Sequence, residues 1–165
     1  MAMWVFLDID GVLVPEKKFE NSIHTEYFLK FDPVCLQLFE DVLQQYPDLR
    51  VGISSSWRDL FPLEVVRNFF SPTIVNRVVG FTPLLDTETT EPSQYFRYQE
   101  VIEFLRLHNA SADSWLAIDD SRDYYPPHTH VIVTDSYNGF DLRAASDLKQ
   151  YLSELKKDNL ALCLL

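Results

Sequence analysis

Asp8 and Asp10 stand two residues apart at the end of the apolar run Met3 to Leu7, and Gly11 follows at once. Carboxylates that close repel each other, and a hard, oxygen-seeking divalent cation such as Mg2+ relieves the repulsion. A second polar set, Ser54-Ser55-Ser56, follows the apolar stretch Leu49 to Ile53. Hydroxyls and free backbone N–H groups between a strand and a helix can point at an anion, so this loop suits a phosphate. A third set, Asp119-Asp120, follows Trp115 to Ile118. Each has a plainer reading on its own: a turn rich in Asp and Gly, or a serine turn with an N-cap. Three such ends in one chain are far less expected by chance than any one of them.

These residues need strands to carry them. Met3 to Leu7 is too tightly bounded for a helix and reads as a fully buried strand of the parallel type. In open α/β sheets ligands collect at the carboxyl ends of strands, which is where both aspartates would lie. Pro15 to Phe31 is a mixed charged and aromatic connector, read as a flap over that end. Asp32-Pro33 reads as an N-cap with proline at the first helical position, and Cys35, Leu38, Phe39, Val42 and Tyr46 follow at helical spacing.

Further on, Leu49 to Ile53 is a second strand, Leu63 to Phe70 a helix and Ile74 to Val79 a third strand. Pro83 to Pro92 is a polar loop, after which Ser93 would cap a helix with Tyr98, Val101, Ile102, Leu105 and His108 on its buried side. Trp115 to Ile118 and His130 to Thr134 are two more strands, and Leu148, Tyr151, Leu152 and Leu155 mark a last helix. This alternation predicts an α/β sheet with parallel crossovers. The apolar tail Leu160 to Leu165 would pack on the body or on a partner, another copy included.

At 165 residues, 47% of them hydrophobic, the chain is expected to form one domain (1–165) with a proper core. A net charge of −11 counts against a broad duplex nucleic-acid surface, though not against one phosphate bound locally. No apolar run approaches membrane-span length and no leader pattern opens the chain, so a cytoplasmic location is expected. Cys35 and Cys163 lack metal or redox spacing. His128 and His130 have no third ligand placed near them.

Phe-Leu-Asp-Ile-Asp-Gly-Val-Leu (Phe6 to Leu13) resembles the first motif of the haloacid dehalogenase (HAD) superfamily of phosphohydrolases, and Ile118-Asp119-Asp120 resembles its fourth. Ser54 falls where that superfamily places its second-motif Ser or Thr. More narrowly, Ser54 to Arg58 and Asp135 to Phe140 resemble the small HAD domains associated with RNA-repair proteins. The resemblance implies a three-layer, Rossmann-like sandwich with a mainly parallel sheet and no full cap domain. One departure is the third motif, where a lysine is usual: Arg97 is the best candidate, with Lys17, Lys18 or Arg58 as substitutes.

What the resemblance implies is a Mg2+-dependent phosphatase acting on a phosphomonoester, on a small molecule or a nucleic-acid end. Asp8 would be the nucleophile, Asp10 the acid/base, Ser54 a donor to a phosphoryl oxygen and Arg97 the neutralising charge. Ser55, Arg58 and Gly11 would face the substrate. Mg2+ would be held by Asp8, the Asp10 backbone carbonyl and one of Asp119 or Asp120. Two other readings stay open: a weak or silent binding module, and phosphotransfer to an acceptor other than water. Trp57, Phe61, Tyr124 and Tyr125 would ring the mouth and could stack on a base, ordinary packing being the plainer role.

Overall fold

The computed structural model describes residues 3–20, 29–85, 94–112 and 114–162, with side chains as far as 157. Five parallel strands form one sheet in the order β3-β2-β1-β4-β5: β1 (Met3–Leu7), β2 (Leu49–Ile53), β3 (Val78–Phe81), β4 (Trp115–Asp119) and β5 (Val131–Val133). The helices are α1 (Pro33–Gln45), α2 (Leu63–Arg67), α3 (Phe96–Leu107) and α4 (Leu142–Leu162). The chain builds outward from β1 in one direction and then resumes on its other side. That leaves a topological switch at β1 and β4, where α/β sheets hold their ligands.

Side chains alternate along a strand, and β1 uses both faces. Val5 and Leu7 enter a core with Phe39, Val42 and Leu43 of α1 and Leu148 and Leu152 of α4. Trp4 and Phe6 enter a second core with Val101, Phe104 and Leu105 of α3 and Trp115 of β4. Phe104 meets both β1 rings edge-on, 5.4 Å from Trp4 and 5.3 Å from Phe6 between centroids. Helices on both faces give three layers, the Rossmann-like sandwich that the sequence resemblance implies. Among the described residues no helix is long and apolar enough to cross a membrane.

Local sequence signals account for many boundaries. Asp32 caps α1, its Oδ1 accepting from Val34 N and Cys35 N at 3.0 Å each, with Pro33 opening the helix. Cys35 is buried as its helical spacing implied, which pushes its thiol up to about 12. Three expectations need correction. The third strand begins at Val78 rather than Ile74, because residues 75–77 form a 3-10 turn. Arg77 in that turn donates to the carbonyls of Leu43, Tyr46 and Leu49, closing the carboxyl end of α1 and holding the chain out of the sheet. The helix from Leu63 stops at Arg67, whose guanidinium reaches Val78 O and Val79 O. His108 is exposed at the end of α3, its ring lying on Phe104 with 4.0 Å between centroids.

Residues 21–28 of the expected flap, residues 86–92 of the polar loop, Ser93, and the side chains of the apolar tail lie outside the described residues. The described base of the flap is a 3-10 turn, Glu16–Phe19, whose Glu16 N and Lys17 N donate to Ser136 O and Tyr137 O. Lys18 is buried there and its Nζ donates to Lys30 O, so it does not stand free to serve as the third-motif lysine.

Arg77 makes a direct prediction. Arg77→Met keeps the apolar stem and removes the guanidinium's bonds to the Leu43, Tyr46 and Leu49 carbonyls. Urea unfolding should show a loss of about 2–3 kcal/mol, the scale of hydrogen bonds to a charged group. A loss under about 0.5 kcal/mol would mean that water replaces the guanidinium without cost.

Candidate functional site

Register brings the three polar strand ends together. Leu7 pairs with Ile53 of β2 on one side and Ile118 of β4 on the other, so their successors Asp8, Ser54 and Asp119 stand level at the carboxyl edge. Two backbone bonds continue the ladders past the strands, Ser54 N to Leu7 O and Asp8 N to Ile118 O, both 2.9 Å. One carboxylate oxygen from each of Asp8, Asp119 and Asp120 lies within 4.8 Å of the other two. All the donors are oxygens, the set a hard cation such as Mg2+ takes, so these residues fit the expected metal.

Behind the carboxylates, Gly11 has φ 69°, a backbone region that side chains rarely adopt. A Cβ at this position would overlap the Asp120 carboxylate. Gly11, expected to face substrate, thus makes room for Asp120. Thr134 Oγ1 donates to Gly11 O at 2.8 Å and pins the same loop from the end of β5.

The electrostatics follow from burial. Asp8 is 8% exposed and its carboxyl is raised to about 6, chiefly by desolvation; Arg97, the Ile9 N–H and the Ser55 hydroxyl pull it back down. Asp119 is fully buried and raised further, to about 8, by desolvation and then by the charge of Asp8. Ser121 N and the Tyr125 hydroxyl, 2.9 and 3.1 Å from its oxygens, oppose that rise. Asp120 is raised as well, again mainly by burial. Carboxyls raised by burial and mutual repulsion in this way favour a bound cation, which lets them ionise.

Arg97 lies on the first turn of α3, is 8% exposed, and has Nε and Nη1 without a hydrogen-bond partner among the described residues. Its charge acts on both Asp8 and Asp119. Ser54 Oγ is likewise buried without a partner. Arg58 is committed elsewhere: Nη1 and Nη2 make a fork with Glu100 at 2.9 and 2.6 Å, and Nη1 also reaches Thr82 Oγ1 at 2.9 Å. Glu100, buried and 3.7 Å from Arg97 Nη1, therefore anchors both arginines. Its position three residues after Arg97, facing inward on α3, is the only signal it left in the sequence.

Two aromatic residues do more than pack. Trp57 is buried against Phe31, Phe61 and Phe69, yet its Nε1 donates to Asp10 Oδ1 at 3.1 Å. Tyr125 is buried and donates to Asp119. The Asp10 carboxylate is exposed and lies outside the cluster of Asp8, Asp119 and Asp120. His128 and His130 do not form a pair: His130 stacks on Tyr151 at 3.6 Å, while His128 meets the edge of Tyr98.

The raised carboxyls set a pH dependence for the metal-free protein. An aspartate that holds its proton more tightly when folded favours folding at low pH and loses that advantage as pH rises through its folded value. For Asp8 and Asp119 the window runs from the ordinary 3.8 to about 8. In EDTA, Tm should fall as pH is raised across that window, and Asp119→Asn should flatten the fall. Millimolar Mg2+ should restore Tm most at the upper end, where the ligands are ionised. An unchanged slope in Asp119→Asn would show that this carboxyl is not the strained one.

No curated protein and no solved structure matches the chain. A family model does, over residues 4–145, and its description is the HAD domain in Swiss Army Knife RNA repair proteins. With strand, paired aspartates, second-strand serine and fourth-motif aspartates in the order this architecture needs, the chain belongs to that family, within the HAD phosphohydrolase superfamily.

Proposed function

We propose that the chain is a Mg2+-dependent phosphatase, hydrolysing a phosphomonoester through an aspartyl phosphate on Asp8, with the ester on a nucleotide or a nucleic-acid end. The observation that carries this reading is a set of buried donors without hydrogen-bond partners among the described residues, beside a buried carboxylate. Ser54 Oγ and Arg97 Nε and Nη1 are all shielded from water. Unpaired buried donors cost stability, and a tetrahedral oxyanion would satisfy them.

Asp8 Oδ1 accepts from Ile9 N at 2.7 Å, which orients the carboxylate and leaves the other oxygen for attack on phosphorus. Ser54 and Arg97 take up charge that develops on the phosphoryl oxygens. Asp10, held by Trp57, protonates the leaving oxygen and then takes a proton from the water that hydrolyses the acyl phosphate. Mg2+, when bound by Asp8, the Asp10 carbonyl and one of Asp119 or Asp120, supplies positive charge to the phosphoryl group and favours ionised Asp8.

The first test is phosphate release from 4-nitrophenyl phosphate with Mg2+. Asp8→Asn should lower kcat by at least about a thousandfold, and EDTA should abolish turnover. Ser54→Ala should cost about 2.7–4 kcal/mol in the barrier. No release by the wild type across metals and pH would favour a binding module, and phosphate appearing on added alcohols would favour a phosphotransferase.

Trp57 offers a sharper test of the Asp10 role. Trp57→Phe keeps an aromatic ring among Phe31, Phe61 and Phe69 and loses the N–H. An alkyl phosphate needs a proton on its leaving oxygen, whereas nitrophenolate departs without one. The variant should lose about tenfold in kcat on glycerol phosphate and much less on 4-nitrophenyl phosphate. Equal losses on both would assign Trp57 to packing alone.

A further inference from the structure

Beside the acidic cluster, an open groove of about 770 Å3 runs between the residues that start α3 and the turn after β4. That volume lies in the range of small-molecule sites, about 300–1,000 Å3. Tyr95 and Phe96 line one wall, Arg122, Tyr124 and Tyr125 the other. Phe96 is 37% exposed and meets Tyr124 at 4.8 Å between centroids, so a ring surface is presented to solvent.

Two residues join this groove to the carboxylates. Arg97 lies over Phe96, its Cζ 5.3 Å from the ring centroid, while its charge acts on Asp8. Tyr125 lines the groove and holds Asp119 through its hydroxyl. A third feature gives the groove a polar edge. Arg122 Nη2 is fixed by Pro126 O and Pro127 O at 2.9 and 2.8 Å, whereas its Nη1 is buried with no partner among the described residues.

We propose that this groove holds the unpaired base of a nucleoside phosphomonoester whose phosphate lies at Asp8. A planar ring stacks on the Phe96 and Tyr124 surface, and an acceptor on its edge takes the fixed Arg122 N–H. A plain aryl group would leave that donor unsatisfied. One ring surface takes one base, and the net charge of −11 opposes a longer duplex. The assignment rests on the phosphatase reading for its phosphate end but not for its base end, so the two can fail separately.

The experiment has a catalytic and a binding arm, with Tyr124→Leu as the variant because leucine keeps apolar bulk and removes the π face. In the first, kcat/KM is measured for adenosine and cytidine 3′- and 5′-monophosphates and for glycerol phosphate. The wild type should prefer a nucleotide, and Tyr124→Leu should lower the ratio of nucleotide to glycerol phosphate about tenfold, the scale of one lost stack. In the second, adenosine is titrated into the protein in EDTA and followed by NMR. Shifts should centre on Phe96, Tyr124 and Arg122 in the wild type and weaken in the variant.

Nucleoside binding without turnover of any ester would keep the groove and sink the phosphatase. Turnover with no nucleotide preference and no adenosine shifts would sink the groove and keep the phosphatase. Phosphorylated single strands and blunt duplexes complete the test. Equal hydrolysis at a paired end would overturn an unpaired base, while a preference for free mononucleotide or for single strands supports the groove and identifies the source.

Discussion

Asp8 and Asp119 repel each other across adjacent strands, both out of water, and the sheet holds them there. The pairing of Leu7 with Ile53 and Ile118 places their successors side by side, and sliding β4 by one residue would send Asp119 to the opposite face of the sheet. The hydrophobic alternation that buries Val5 and Leu7 on one face and Trp4 and Phe6 on the other makes such a slip costly. Core packing thereby sustains an electrostatic arrangement that would disperse in a flexible chain. The raised Asp8 and Asp119 carboxyls are the local sign of that strain.

Around this pair, the neighbouring groups compensate the negative charge and leave a gap. Arg97 supplies positive charge, and Glu100 keeps both it and Arg58 in place. Ile9 N, Ser121 N and the Tyr125 hydroxyl each stabilise a carboxylate from behind. Among the described residues, the Ser54 hydroxyl and two nitrogens of Arg97 are buried without a hydrogen-bond partner. A cation for the carboxylates and a phosphoryl group for the donors would complete the set together, each making the other's binding more favourable.

Substituting arginine for the usual lysine changes how the site connects to its surroundings. A lysine would present one compact charge, whereas the planar guanidinium of Arg97 also lies on Phe96. Arg97, proposed above to meet the phosphoryl charge, is thus in contact with a ring that lines the groove. Trp57 makes a comparable link on the other side, from the aromatic cluster around Phe31 to the exposed Asp10. Both contacts tie the site's geometry to rigid rings.

Local chemistry in the sequence determined the strands Met3–Leu7 and Leu49–Ile53, the capped start at Asp32 and the polar residues at the ends of β1, β2 and β4. These depend on neighbours along the chain: periodicity, a cap side chain, a run of apolar residues. The level placement of Asp8, Ser54 and Asp119 came instead from the register of the sheet, which sets β1 between β2 and β4. Only the tertiary structure decided that Arg58 pairs with Glu100, that Arg77 closes α1 and delays β3 to Val78, and that the indole of Trp57 reaches Asp10. Those bonds join residues 42, 34 and 47 positions apart. A directional contact between distant side chains depends on how whole layers pack, and composition, spacing and periodicity carry no record of that angle.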